Sequence, residues 1–218
     1  MKSAILVSSV MTAWIFLSTC VALPQSTSYL STLSNSNDGG ETPVASDQWA
    51  AELFQTGTAS DGYVLDSIQL MMGEADGNAN GFNVSLYSNN NIFPGNNLGV
   101  LNGSTNPSSG IYTYTASNLI LSPATSYWIV VNAETPYSTG GFYLDCTLSY
   151  LASYSSSDNW SIPGGSAYAY AVSSNGSSWG IPGVYYALFT INATVVPEPE
   201  IHILAGLGLI AILLRRRK

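Results

Sequence analysis

The stretch Tyr185-Tyr186-Ala187-Leu188-Phe189-Thr190-Ile191-Asn192-Ala193-Thr194-Val195 decides the fold. Tyr185, Ala187, Phe189, Ile191, Ala193 and Val195 share one face at a period of two, and Thr190, Asn192 and Thr194 lie on the other. This is the pattern of one long strand with its apolar side on a core. The same period recurs toward the N-terminus. Phe82, Val84 and Leu86 alternate with Asn83, Ser85 and Tyr87, and Ile111 to Thr115 is β-branched or aromatic throughout. Tyr127-Trp128-Ile129-Val130-Val131 is apolar on both faces, as a central strand is. Phe142, Leu144, Cys146, Leu148 and Tyr150 share an apolar face, which makes Cys146 a buried small hydrophobe. Between Tyr63 and Met72 the period slips. Val64, Ile68, Leu70 and Met72 have the parity of Asp66, and a bulge near Leu65 would resolve this. No segment between the two ends carries a sustained helical stripe. The expectation is an all-β fold, an antiparallel β-sandwich of jelly-roll-like type over residues 46–196. Residues 23–45, rich in Ser, Thr and Asn, read as a linker or a loosely held first strand. Patterning alone leads us to expect a soluble, monomeric body without a cofactor.

Beyond the decisive strand the composition changes. Val196-Pro197-Glu198-Pro199-Glu200 leads into an apolar run from Ile201 to Leu214 and then Arg215-Arg216-Arg217-Lys218. As a helix that run reaches roughly 21 Å, short of a hydrocarbon core of about 30 Å. Snorkelling arginines extend it, and the basic cluster favours the cytoplasmic side. The two prolines keep Glu198 extended and accessible. The other end begins Met1-Lys2, continues apolar from Ala4 to Leu17, and reaches Cys20-Val21-Ala22. That is the layout of a signal peptide over residues 1–22, cut after Ala22. Signal peptidase and the Sec machinery would be its partners. A rival reading makes Leu17–Cys20 a lipobox acylated on Cys20, which Thr19 fits poorly. A signal helix and a short C-terminal transmembrane helix therefore flank the sandwich.

Val196-Pro197-Glu198-Pro199, the short apolar segment and the Arg-Arg-Arg-Lys cluster closely resemble the PEP-CTERM sorting signal, here residues 197–218. The family usually has Ser-Thr after the second proline, where this chain has Glu200-Ile201, and His202 is unusual too. The resemblance implies recognition of Pro197, Glu198 and Pro199 by an exosortase, a membrane-embedded transpeptidase-like enzyme that cuts near the motif. Such systems accompany exopolysaccharide production in Gram-negative bacteria. The body also resembles the family called choice-of-anchor R, through Tyr63 to Leu70, Phe82 to Ser88, Pro94-Gly95-Asn96-Asn97-Leu98-Gly99 and Leu121 to Trp128. That resemblance implies a β-sandwich surface module with no agreed activity.

Charge narrows the chemistry. The five basic residues are Lys2 and Arg215 to Lys218, whereas eleven of the 13 acidic residues lie between Leu23 and Val196. A body without Lys, Arg or His makes no cationic contacts to nucleic-acid phosphates or anionic lipid. It also lacks the base of a Ser-His-Asp triad, a lysine nucleophile and histidine metal ligands. A carboxylate pair, as in glycoside hydrolysis, survives, but no spacing singles out two acids. The chain is therefore read as no enzyme. Glu74, Asp76, Asn78 and Asn80 place oxygens at every second position before Gly81, an array that can wrap Ca²⁺. Alternatively the segment is a polar turn. Trp160 and Trp179 sit in Ser/Asn/Gly loops and are candidates to stack on sugars; alternatively they cap the sandwich edges.

Three functions fit these readings. The first is an exported structural or adhesive surface or matrix protein, sorted through its tail. The second is a module binding neutral exopolysaccharide. The third is a carboxylate-dependent glycoside hydrolase, the least supported.

Overall fold

The computed structural model describes residues 25–148, 153–163, 169–183 and 185–197. Two antiparallel sheets account for them. One contains β1 (Thr27–Ser31), β2 (Gly40–Val44), β4 (Tyr63–Met72), β7 (Gly110–Leu121), β9 (Phe142–Leu148), β10 (Ser155–Ser156), β13 (Tyr185–Ala187) and β14 (Phe189–Val195). Its path runs β10-β1-β14-β4-β9-β13, with β2 added on β9 and β7 on β4. The other contains β3 (Trp49–Gln55), β5 (Asn83–Asn90), β6 (Phe93–Leu101), β8 (Ser126–Asn132), β11 (Tyr170–Ser173) and β12 (Trp179–Gly180). Its order is β12-β11-β3-β8-β5-β6. The described residues are all-β, as the period-two patterning requires.

The decisive stretch is one extended course broken at Leu188, so it forms two strands and not one. β13 pairs with β9, and β14 pairs with β4 on one side and β1 on the other. At the break, the Leu188 N–H donates to the Asp145 carbonyl at 2.9 Å and its carbonyl accepts the Met71 N–H at 2.9 Å. Ala187, Phe189, Ile191 and Ala193 keep their common buried face across it.

The slip in β4 is a bulge at Asp66. Leu65 faces Ala193 and Leu119, whereas Ser67 faces Asn192 and Thr115, leaving Asp66 unopposed. Its carboxylate accepts the Thr194 hydroxyl at 2.7 Å. Tyr63 and Leu65 are buried before the bulge, and Ile68, Leu70 and Met72 after it. Val64 therefore leaves the core set in which simple parity had placed it.

Of the two readings of 23–45, a linker or a loosely held first strand, the linker is corrected. These residues supply β1, paired with β14 and β10, and β2, paired with β9. Leu30 and Val44 are fully buried. The polar segment is held by backbone pairing and one or two apolar anchors per strand. β8 is central, between β3 and β5, with Tyr127 to Val131 all buried. Cys146 is buried and unbridged.

The expected signal helix and C-terminal transmembrane helix lie outside the described residues. Among the described residues no helix is long and apolar enough to cross a membrane.

Candidate functional site

The tail leaves the sandwich at a fixed point. β14 ends at Val195, and the Val196 N–H donates to the Gly62 carbonyl at 3.0 Å. Pro197 follows, exposed. The Pro197-Glu198-Pro199 motif thus begins within two residues of the last core strand. Glu198, Pro199 and the basic cluster Arg215, Arg216, Arg217 and Lys218 lie outside the described residues.

The acidic loop is held by protein donors. The Asp76 carboxylate accepts the Gly141 N–H at 2.7 Å on one oxygen and the Tyr143 hydroxyl at 2.9 Å on the other. Glu74 turns elsewhere and accepts the Ser108 hydroxyl at 3.1 Å. The loop backbone pairs with residues 134–141: Asp76 N–H to Gly141 O, Asn78 N–H to Thr139 O, and Glu134 N–H to Asn80 O. The segment is a loop that turns at Gly77–Asn78 and is laid beside residues 134–141. Glu74 and Asp76 do not converge, and no group of three or more His, Cys, Asp or Glu able to hold a metal ion occurs among the described residues.

The two loop tryptophans part company. Trp160 is 1% exposed, so it is corrected from a sugar-stacking candidate to a core residue. It stacks on Phe54 at 5.9 Å and 1°, and on Tyr29 at 5.1 Å and 23°, with Tyr63 edge-on at 4.9 Å. The Tyr63 hydroxyl donates to Asp158, drawing the loop down on the ring. Gly57 is required there, because a Cβ would lie 1.9 Å from the Asp158 carbonyl oxygen and 2.8 Å from Trp160. Burial, first, and the Asp158 hydrogen bond, second, push the Tyr63 phenol up.

Trp179 is half-buried and meets Trp49 edge-on at 6.5 Å and 78°. Trp49 lines a groove of about 380 Å³ with Pro43 and Val172, while Asp47, Gln48 and Ser178 supply polar groups. Its Nε1 donates to the Ser46 carbonyl at 2.9 Å, and Gly176 packs so closely on its six-membered ring that a Cβ would lie 2.7 Å away. The indole is therefore held in place on both its ring edge and its face. No local pattern in the sequence singled out Trp49 for this groove.

One interior carboxylate also escaped the sequence. Glu52 on β3 is 2% exposed, and its Oε2 accepts the Ala187 N–H at 2.8 Å while Oε1 has no partner. Burial raises its pKa well above the ordinary value, and the Ala187 hydrogen bond opposes this in part. Around it lie Cys146, Tyr170 and Tyr186, each raised chiefly by burial, with the Cys146 thiol pushed up to about 12. Thr42 Oγ1 lies 3.5 Å from the Cys146 Sγ. Glu52 is thus walled off from water, and Cys146 lies in electrostatic reach of both Glu52 and Asp145.

Comparison with known proteins bears on the tail. Residues 195–218 match the family model described as the PEP-CTERM protein-sorting motif. The protein is thus an exported one, processed at the cell envelope, with an exosortase as the processing partner. Neither a curated protein nor a solved structure matches the chain.

Proposed function

We propose that this protein is a structural or adhesive component of the cell surface, a choice-of-anchor R type β-sandwich delivered through its C-terminal sorting signal. The observation behind the reading is the sorting motif over residues 195–218, beginning where β14 ends. The body has no Lys, Arg or His and so offers no cationic side chain to an anionic partner. Cleavage by signal peptidase after Ala22, export by Sec and retention of the basic cluster inside belong to the same proposal. Mass spectrometry of the surface-exposed protein tests it. Mature chains should lack residues 204–214, and Glu198→Ala should fold normally yet accumulate uncut in the membrane. Intact tail peptides on the mature form, or normal processing of Glu198→Ala, would make the tail a plain anchor.

The Trp49 groove favours a second reading, in which the body binds a neutral glycan of the exopolysaccharide. A pre-positioned indole beside an amide, a carboxylate and a hydroxyl suits a sugar ring, apolar on its face and hydroxylated at its rim. Trp49→Ala should abolish retention on neutral polysaccharide gels without altering the circular dichroism spectrum. Equal retention of the variant would remove the groove from consideration.

A further inference from the structure

The body contains three Asn-Gly pairs, Asn80-Gly81, Asn102-Gly103 and Asn175-Gly176. Such a pair can rearrange in water without an enzyme. The glycine backbone nitrogen attacks the asparagine side-chain carbonyl carbon, and glycine obstructs this least because it has no side chain. The fold treats the three pairs differently. Asn175 is locked. Its Oδ1 accepts the Ser177 and Ser178 N–H groups, both at 2.9 Å, while the Gly176 N–H donates to the Ser173 hydroxyl at 2.9 Å and Trp49 packs on Gly176. Asn102 exchanges N–H and C=O with Thr115 at 2.8 Å, and Gly103 is wedged on the Tyr114 ring, where a Cβ would lie 2.3 Å away. Asn80 is exposed and held less tightly. Its N–H donates to the Thr135 hydroxyl and its carbonyl accepts the Glu134 N–H, both at 3.1 Å. Among the described residues no hydrogen bond holds its side-chain amide or the Gly81 N–H. The Glu134 side chain lies directly on Gly81, where a Cβ would meet its Cγ at 2.4 Å and its Cδ at 2.5 Å. Gly81 and Glu134 line one recess of about 220 Å³ with Asn83 and Thr105.

We infer that Asn80 is a self-modifying site, converted to aspartate and isoaspartate, and that Glu134 receives the proton. The Glu134 carboxylate takes the Gly81 amide proton as the Gly81 nitrogen bonds to Asn80 Cγ. The bond from Cγ to the side-chain nitrogen then breaks, and that nitrogen leaves as ammonia with the proton Glu134 had taken. What remains is a five-membered imide closed between side chain and backbone. Water from the recess opens it. Attack at the side-chain carbonyl gives aspartate, and attack at the backbone carbonyl gives isoaspartate. Ammonia is lost and water gained, so neither an oxidant nor a partner enters. Either product places a second carboxylate beside Glu134, and the two repel. Isoaspartate also routes the main chain through the side-chain carbon, lengthening it by one atom where Asn80 pairs with Glu134. The pairing of the acidic loop with residues 134–141 is thereby loosened. The change runs one way, so the loop keeps a covalent record of the time an exported chain has spent in water.

Incubation of the exported protein at neutral pH over weeks, followed by peptide mass spectrometry, tests this. The mass gain of amide to acid should appear at Asn80 several-fold sooner than at Asn102 or Asn175. Glu134 is exposed, so Glu134→Gln should leave the circular dichroism spectrum unaltered. It should slow conversion of Asn80 about tenfold or more and leave the other two pairs as they were. The pH profile should change as well. With Glu134 the Asn80 rate should stay nearly level from pH 6 to 8, whereas in Glu134→Gln it should climb steeply with hydroxide. In concentrated urea the preference should vanish, with all three pairs converting at similar rates. Conversion of Asn102 or Asn175 ahead of Asn80, an unchanged Asn80 rate in Glu134→Gln, or the same order in urea would each overturn the inference.

Discussion

Replacing Glu52 by Gln should make the protein more stable at neutral pH, and the gain should grow with pH. Glu52 Oε2 serves the Ala187 N–H, next to the break at Leu188 where the strand course passes from β9 to β4. The Ala187 carbonyl is taken by the Thr32 hydroxyl at 2.8 Å, so Glu52 completes the pairing of that residue. A neutral acid does this as well as a carboxylate, and burial favours the neutral form. The sign follows from proton binding. Below the ordinary glutamate value of 4.5 the folded and unfolded chains both hold the proton. Above it the unfolded chain releases the proton and the native one keeps it, so stability falls as pH rises until the folded pKa is reached. One such group gives a slope of about 1.4 kcal/mol per pH unit, roughly 3–6 °C in Tm for a domain of this size. Glutamine keeps the acceptor and cannot ionise. Wild type and Glu52→Gln should therefore coincide near pH 4 and diverge by that slope above it. Glu52→Leu leaves the Ala187 N–H unpaired and should lose about 1–3 kcal/mol relative to Glu52→Gln at pH 4. Asp145, also raised by burial first and by Glu41 second, contributes in the same direction but is common to all three proteins. Urea unfolding followed by tryptophan fluorescence from pH 4 to 8 reads the difference. Parallel pH profiles for wild type and Glu52→Gln would refute the reasoning.

Trp160→Ala empties the stack between Phe54 and Tyr29 and should destabilise by about 3–5 kcal/mol, read by denaturant melts. Trp160→Phe should cost less and leave glycan retention as it was. Asp76→Ala removes the hydrogen bonds from Gly141 and from Tyr143 of β9 and should lower stability by about 1 kcal/mol. Millimolar Ca²⁺ should leave the wild-type melting midpoint unmoved, because donors from Gly141 and Tyr143 already occupy both Asp76 oxygens.

What the sequence disclosed was governed by side-chain periodicity. β8 was legible because its apolar residues fill both faces, and the Asp66 bulge because a parity error leaves a trace in one strand. β1 and β2 were not legible. Thr-Ser-Tyr-Leu-Ser and Gly-Glu-Thr-Pro-Val have too few apolar residues for alternation to show, and their place is set by backbone bonds to β14 and β9. Trp160 and Trp179 stand in stretches of the same Ser, Asn and Gly composition. What separates them is Phe54, Gly57 and Tyr63 gathered around the first, at a sequence distance no local pattern spans. Trp49 carried no local signal, because its groove is completed by Val172 and Ser178, which are distant in sequence.

The fixed exit of the tail has a mechanical meaning. Any tension transmitted through Pro197 enters the sandwich at Val195, along the axis of β14. That strand is interior, paired with β4 from Val195–Tyr63 to Phe189–Leu70 and with β1 on its other side. Pulling it lengthwise loads these hydrogen bonds in parallel, as shear, whereas a strand peeled from an outer position would open them one after another. A sandwich pulled through its tail would take that load along an interior strand held on both sides.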